Sequence, residues 1–291
     1  MCWMLRLSRQ CTIWGGVLLA TVVSTGGFAG DRLLATGGLI SVEGSAGGGL
    51  TPWAVIAGLG TDTEIGASSA CTLVKPPDFE LETCGLALGI DNRLELSLDR
   101  QRFDLGSVIA GQAIEQTIVG AKVRLYGDMV ADQDRAWPQL ALGTQWKDNT
   151  SFDQVPKALG ARRASGLDVY IAATKLWLDG PLGHSWIGDL TLRYSEANQL
   201  GLLGFGGDLG TYHLLPEASI GCFVTDHLVA GVEYREKPNN LSSVREDDYK
   251  DAFVAYLPVK WLSLALAYVD LGRVADKPGQ AGPYLSLQGS F

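Results

Sequence analysis

Apolar and polar residues alternate with a period of two along most of this chain. From 93 to 99, leucines occupy the even positions and charged or polar residues the odd ones. The same alternation recurs in 119–128, 140–147, 189–194 and 228–235. It is typical of a β-strand with one polar and one apolar face. Together with 37 glycines and only 11 prolines, it predicts an all-β chain of many short strands.

Alternation alone leaves open which face of each strand is buried. In a soluble barrel, the leucines fill the interior and the charges meet water. In a membrane barrel, the leucines face lipid and the charges line a wet lumen. Other features of the chain have to decide between these two folds.

The end of the sequence is the first such feature. Leu285, Leu287, Gly289 and Phe291 alternate up to a terminal phenylalanine, the signal that the outer-membrane assembly machinery recognises. Termini of soluble domains are usually frayed. We therefore expect Phe291 to be an assembly signal, and the assembly machinery and outer-membrane lipid to be partners of the chain.

The spacing of the predicted strands is the second feature. Long connections near 104–112, 148–166, 197–211, 237–248 and 271–281 alternate with shorter ones near 91–92, 129–135, 179–185, 225–227 and 258–259. Long external loops and short periplasmic turns are typical of outer-membrane barrels. Tryptophans near the shorter connections and tyrosines at the opposite strand ends resemble two interfacial girdles. The predicted fold is therefore a closed antiparallel transmembrane β-barrel.

The strand count is less clearly defined by the pattern. Thirteen strands fit between Pro52 and Phe291, and a closed bacterial barrel needs an even number. Counting 36–43 as a first strand gives 14, whereas treating 52–60 as an inserted segment gives 12. We predict about 14 strands (range 12–16) in a single domain, residues 30–291.

The N-terminus predicts export. Arg6 and Arg9 precede an apolar run of about a dozen residues, too short for a membrane helix of roughly 20, and a small-x-small pattern ends at Ala29. Residues 1–29 therefore read as a signal peptide, with a single membrane anchor as the alternative. Without Arg6 and Arg9, 21 basic residues stand against 32 acidic ones, a net charge of −11. This acidity argues against a nucleic-acid partner.

The stretch TGGLISVEGSAGGGLTPWAVI, residues 36–56, resembles the N-terminal signature of domain-of-unknown-function family 3034. The sequence QRFDL at 101–105 is similar to a second block of that family. The resemblance implies a Gram-negative outer-membrane β-barrel. It implies no substrate and no catalytic residues.

Other residues suggest little chemistry. The glycine-rich run 44–49 has no phosphate-binding motif, and we interpret it as flexible or as threading past other backbone inside the barrel. His213 with Asp208 is the best pair for a hydrolase, the third-ranked alternative, and we expect no enzyme and no cofactor or metal. A hairpin turning at 77–78 places Cys71 directly opposite Cys84, which predicts a structural disulfide.

The polar strand faces provide the predicted functional set. Their charges either line a lumen that passes a small, unidentified solute, or form ion pairs that plug a narrow barrel. A soluble periplasmic ligand-binding barrel is the alternative from another class. The candidate lumen-lining residues are Arg93, Glu95, Asp99, Lys122, Arg124, Asp128, Asp189, Arg193, Glu233 and Arg235.

Overall fold

A computed structural model describes residues 35–133 and 135–291 of the chain. The predicted signal peptide, 1–29, lies outside the described residues. Two short strands, β1 (Leu39–Ile40) and β2 (Ala46–Gly47), pair with each other. The longer strands are β3 (Ile65–Val74), β4 (Glu80–Ile90), β5 (Leu94–Asp104), β6 (Ala113–Tyr126), β7 (Gln139–Asn149), β8 (Ser165–Trp177), β9 (Trp186–Ser195), β10 (His213–Thr225), β11 (Leu228–Arg235), β12 (Tyr249–Val259), β13 (Leu262–Asp270) and β14 (Ala281–Ser290).

Strands β3 to β14 form a closed antiparallel barrel in which each strand pairs with its neighbours in sequence. The ring closes between β14 and β3, where Leu287 lies opposite Cys71. The wall therefore has 12 strands, and the prediction of about 14 is wrong. The two extra strands, 36–43 and 52–60, are not part of the wall because this region turns into the barrel.

The strand alternation sets the polarity of the wall. On β5, Leu98 is 52% exposed whereas its neighbour Asp99 is 2% exposed. Around the ring, exposed leucines, valines and isoleucines lie outside, and the inside holds the polar side chains together with buried apolar ones such as Val74, Phe103 and Phe253. A soluble barrel requires the opposite arrangement. The outer face is thus apolar, as a barrel surrounded by lipid requires.

Connections at the two ends of the barrel differ in length. At one end, called the long-loop end, lie 75–79, 105–112, 150–164, 196–212, 236–248 and 271–280. At the other, the short-turn end, lie 91–93, 127–138, 178–185, 226–227 and 260–261. The predicted asymmetry is present, although 127–138 is longer and 75–79 shorter than that pattern alone suggests. No helix within the described parts of the chain is long and apolar enough to cross a membrane.

Residues 36–59, called the inner segment, run inside the barrel and include β1 and β2. Every residue from 40 to 60 is buried. Both limbs of the segment meet the short-turn end. Ala35 lies in an apolar cavity with Phe223 and Leu257 near two short turns, and the Leu59 amide donates to the Phe291 carbonyl at 3.0 Å. The inner segment therefore rises into the lumen and returns.

A disulfide and the C-terminal residue both contribute to the wall. Cys71 and Cys84 lie directly opposite each other on β3 and β4, and the structure joins them by a disulfide with a Cα–Cα distance of 4.2 Å. Both cysteines point to the outer face. The backbone of Phe291 extends β14 and exchanges two hydrogen bonds with Ala67 on β3, at 2.7 and 2.8 Å. The two hydrogen bonds of Phe291 strengthen the pairing between β14 and β3, where the barrel closes.

Candidate functional site

Polar side chains of the wall hold the backbone of the inner segment. Buried backbone groups need hydrogen-bond partners, and this segment has few of its own beyond β1 and β2. Wall side chains supply them from β3 to β9 and from β11 and β14. Those that bond inner-segment backbone are Ser68, Thr83, Glu95, Gln101, Lys122, Gln139, Gln145, Thr174, Thr191, Glu233, Arg235 and Gln288.

Glu43 of the inner segment is the centre of an ion-pair cluster. Its carboxylate contacts Lys147, Arg235 at 2.7 Å and Arg193 at 3.4 Å. Burial alone raises the pKa of Glu43, but the three cations hold it well below its ordinary value. Glu43 is therefore ionised and binds the segment to three wall strands at once.

Two wall carboxylates complete this cluster. Asp168 contacts Lys147 at 2.7 Å and Arg193 at 3.4 Å, and Glu217 contacts both Arg193 and Arg235. Arg193 also lies over the Tyr170 ring, with 5.1 Å between the guanidinium carbon and the ring centroid. Counting Glu43, three carboxylates balance three cations. Such balance is needed because an unpaired buried charge costs several kcal/mol.

A second ion pair binds both limbs of the inner segment. Glu95 on β5 pairs with Lys122 on β6 at 3.1 Å. Its two carboxylate oxygens accept from the amides of Ala46, at 3.1 Å, and Ala57, at 2.9 Å. Lys122 donates to the Ala46 carbonyl at 2.8 Å. The Glu95–Lys122 pair thus binds both limbs of the inner segment, the entering limb at Ala46 and the returning limb at Ala57.

Glycines permit the close approach of segment and wall at two points. Gly44 has φ +84°, and a Cβ there would lie 2.7 Å from the Asp99 Cβ. A Cβ on Gly89 of β4 would lie 2.1 Å from the Ala57 carbonyl oxygen. Only glycine fits without displacing the neighbour. The glycine-rich run thus lies where the segment passes close to the wall.

The lumen becomes apolar towards the long-loop end. Val42 and Leu50 at the top of the inner segment face Leu200 and Leu202 of the loop 196–212 across a cavity of about 30 Å³. These side chains belong to a large buried apolar cluster formed by segment, wall and loops. The loops therefore cover the inner segment with a layer of apolar side chains, called the apolar cap.

A polar contact joins the loops of this cap. Lys237 lies 3.5 Å from Glu246, and the Gln199 amide donates to the same carboxylate at 2.9 Å. Burial lowers the pKa of Lys237 to about 8, although Glu246 opposes the shift. Burial likewise raises the pKa of Glu246, against the effect of Lys237. The pair connects loop 236–248 to loop 196–212.

The ten predicted lumen residues divide into three groups. Arg93 is exposed in the turn 91–93, so its prediction as a lumen residue is wrong, because β5 begins only at Leu94. Arg124 and Asp128 are half-buried at the short-turn end, where they pair with each other at 2.6 Å. The remaining seven are buried inside the barrel: Glu95, Asp99, Lys122, Asp189, Arg193, Glu233 and Arg235.

Sequence reasoning missed the centre of the site. Glu43 was assigned to a wall strand, and Lys147, Asp168, Glu217 and Asp251 were not among the predicted residues although all are buried. For Lys147 the signal was available, because it lies on the polar face of 140–147. The inward glutamines and threonines carry no charge and were overlooked for that reason.

The hydrolase candidate does not form the predicted pair. His213 Nε2 lies 2.9 Å from Asn240 Oδ1, whereas Asp208 accepts from the Ser242 amide at 2.9 Å. In the described residues, no group of three or more His, Cys, Asp or Glu side chains has an arrangement suited to a metal ion.

The family model described as "Protein of unknown function (DUF3034)" matches residues 36–288. The chain belongs to this family. The match begins at Thr36, so the DUF3034 sequence includes the inner segment as well as the wall. No curated protein matches the chain.

The chain is similar to several solved structures of porins and outer-membrane channels. A KdgM porin in complex with disordered oligogalacturonate is 12% identical, with a TM-score of 0.46, covering 78% of this chain and 98% of the porin. A NanC porin is 9% identical, with a TM-score of 0.47, covering 78% and 99%. The COG4313 outer membrane channel from Pseudomonas putida F1 is 10% identical, with a TM-score of 0.39, covering 83% and 96%.

Proposed function

We propose that this DUF3034 protein is an outer-membrane β-barrel that works as a gated channel for a small solute, with the inner segment as its gate. The observation that carries the proposal is that polar side chains of nine wall strands, β3 to β9, β11 and β14, hold the inner segment in the lumen. The family match and the barrel fold are compatible with this role, and the solute itself stays unassigned.

The outer face supports a position in a membrane. Its strand residues are apolar, and large aromatic side chains lie near the strand ends. Trp177 and Trp261 are 46% and 55% exposed near the short-turn end, and Tyr194 and Tyr268 are 49% and 64% exposed near the long-loop end. Aromatic girdles at both interfaces are typical of outer-membrane barrels. The long loops would then face the cell exterior.

The filled lumen argues against permanent passive passage. The inner segment and the apolar cap occupy the space that a porin leaves to water, and two apolar cavities beside the segment are about 30 Å³ each. A cavity of that size holds about one water molecule. Passage therefore requires the segment to move.

The polar character of the wall groups that bind the inner segment favours a movable gate over a permanent plug. Wall groups such as Glu95, Lys122, Arg235 and Gln288 would meet water if the segment left, and water can replace their hydrogen bonds. If apolar wall side chains held the segment instead, its withdrawal would expose hydrocarbon to water, which is unfavourable. The segment also enters and leaves at the same end of the barrel, so it could withdraw without being threaded through the wall.

Fractionation and conductance together test the proposal. We expect the natively expressed chain in the outer-membrane fraction, as a heat-modifiable band on gels. In planar bilayers, we expect the wild type to stay mostly closed with brief openings, and a variant lacking 36–59 to conduct steadily. Gly44→Val, which dislodges the segment by a steric clash, provides a second variant if the deletion does not fold.

Three results would contradict the proposal. Recovery as a soluble periplasmic protein would exclude the membrane position. A wild type that conducts as steadily as the deletion variant would exclude closure by the segment. A wild type that never opens, beside conducting variants, would make the segment a permanent plug.

A further inference from the structure

Within the described residues, four buried carboxylates of the lumen form ion pairs with basic side chains, and four form none. The Glu43 cluster is balanced, and Glu95 is paired with Lys122. None of the four unpaired carboxylates forms an ion pair within residues 35–133 and 135–291. Three of them accept hydrogen bonds from hydroxyl or amide groups. These four are Asp99, Asp189, Glu233 and Asp251.

Glu233 and Asp251 stand out because they are neighbours. They lie directly opposite each other on β11 and β12, and both point into the lumen, 3% and 7% exposed. Directly opposed residues of antiparallel strands have Cβ atoms about 4.5–5.5 Å apart, so the two carboxyl groups are close neighbours. Neither carboxylate oxygen of Asp251 has a hydrogen-bond donor among the described residues. Two carboxyl groups therefore face each other in a buried site.

Among the described residues, no basic side chain forms an ion pair with either of these two carboxyl groups. Ser219 lies opposite Glu233 on β10, and Val269 lies opposite Asp251 on β13. From β14, Tyr284 presents its hydroxyl. That hydroxyl and Glu233 Oε2 lie 3.2 and 3.3 Å from the position of a Cβ built on Gly49. The hydroxyls of Ser219 and Tyr284 also lack hydrogen-bond partners in the described structure.

The nearest charged and titratable groups on the same strands are already engaged. Arg235, two residues beyond Glu233 on β11, contacts Glu43 and Glu217. Tyr249, two residues before Asp251 on β12, donates to Gln199 at 2.6 Å. Glu217 on β10 belongs to the balanced cluster. The inner segment contributes only neutral groups here.

Two adjacent buried carboxyl groups cannot both ionise easily, so one of them keeps its proton and donates it to the other. The ionised member is then free to accept other hydrogen bonds. Glu233 does so, because it accepts from the Leu50 amide at 2.8 Å and from the Thr51 hydroxyl at 2.7 Å. Both donors belong to the inner segment.

We propose that Glu233 and Asp251 share one proton, and that loss of this proton to solvent base releases the inner segment. This inference rests on the proposed gate. Deprotonation leaves two carboxylates in contact, and their repulsion is relieved when Glu233 moves away from Asp251 and from the segment. The gate therefore opens more often as the pH rises.

The test compares wild type with Asp251→Asn, in which an amide replaces the shared proton at every pH. Hydrogen exchange of the amides in 36–59 is measured for both proteins at the same pH, from about pH 5 to about pH 9, a range that brackets ordinary and strongly raised carboxyl pKa values. We expect equal rates at the acid end and exchange about tenfold faster in wild type at the alkaline end, the effect of one pKa unit. Bilayer openings should follow the same curve.

Asp153→Asn is the matched control, because Asp153 lies on the exposed loop 150–164 and pairs only with Lys157. It should behave like wild type. Equal exchange in wild type and Asp251→Asn at every pH would overturn the shared proton. A difference that disappears on adding Ca²⁺ or a chelator would overturn it in favour of a bound cation. A pH-dependent exchange without any conductance would leave the proton pair in place and contradict the gate.

Discussion

The wall of the barrel and the inner segment are stabilised in different ways. In the wall, the strand ladder is continuous through all 12 strands. In the inner segment, backbone pairing is limited to the two-residue strands β1 and β2, a bridge between Gly47 and Pro52 and a few further backbone hydrogen bonds, and wall side chains provide many of the other partners. Where lipid surrounds the wall, no water can replace its ladder. The lumen groups that hold the segment are polar and can be hydrated. This difference fits the proposal of a permanent wall around a segment that can be displaced.

Glu43→Gln tests the segment side of this comparison with the largest expected effect. Removing one partner of a buried ion network costs about 3–5 kcal/mol, because the remaining charges are left unbalanced. We expect faster hydrogen exchange in 36–59 and unchanged exchange in β4 and β5. Glu115→Gln, which breaks only the exposed pair with Arg100, is the control and should change little. Equal loss of protection in segment and wall would contradict the distinction.

The double variant Cys71→Ala/Cys84→Ala tests the wall side. A disulfide that closes a short loop contributes about 3 kcal/mol, and this one spans a sequence separation of 13. We expect the heat-modifiable band to convert at a lower temperature, with no change in exchange of 36–59. Mass spectrometry of unreduced wild type should detect the bridged peptide. Release of the segment by this variant would show that wall and segment are not independent.

Gly89→Val makes a change in the wall that acts on the segment. The new side chain would meet the Ala57 carbonyl, and overpacking of this kind costs about 1–3 kcal/mol. We expect more frequent bilayer openings. Leu88→Val, on the outer face of the same strand, is the control. If Gly89→Val opened no more often than wild type, the contact between Gly89 and Ala57 would not hold the segment in place.

Ser68→Ala should have the smallest effect. The Ser68 hydroxyl accepts from the Gly58 amide at 3.0 Å and contacts the Ser290 hydroxyl at 2.9 Å. The substitution removes both contacts, and loss of each such hydrogen bond costs about 1 kcal/mol. Exchange should increase near Gly58 alone. An effect that spreads to Glu43 would show that the segment is released as one unit.

The wall could be predicted largely from the sequence because its alternation is a local property. The polar and apolar faces of 93–99 and the opposed cysteines follow from strand geometry and one turn. The inner segment could not be predicted in the same way. Residues 36–43 carry strand-like residues, and nothing local distinguishes a strand in the wall from a chain inside it. The odd count of 13 was the available sign that a segment had been misassigned.

The site was only partly predictable for a related reason. Inward charges on clear strands, such as Asp99 and Arg193, follow from the alternation. The role of Glu43 does not, because its partners Lys147 and Arg235 are 104 and 192 residues away in sequence. The pairing of Glu233 with Asp251 depends on the register of β11 and β12, which the long loop 236–248 leaves undetermined in the sequence.

The position of the inner segment is tested most directly by labelling a cysteine introduced at Ala46, which is fully buried beneath Glu95 and Lys122. A membrane-impermeant maleimide is applied to the protein in liposomes, with wild type as the baseline for Cys222 and Ser107→Cys as an exposed loop control. We predict that Ala46→Cys reacts far more slowly than Ser107→Cys and reaches the same rate once the barrel is heat-denatured. Equal labelling of the two positions in the folded barrel would contradict a lumen filled by residues 36–59.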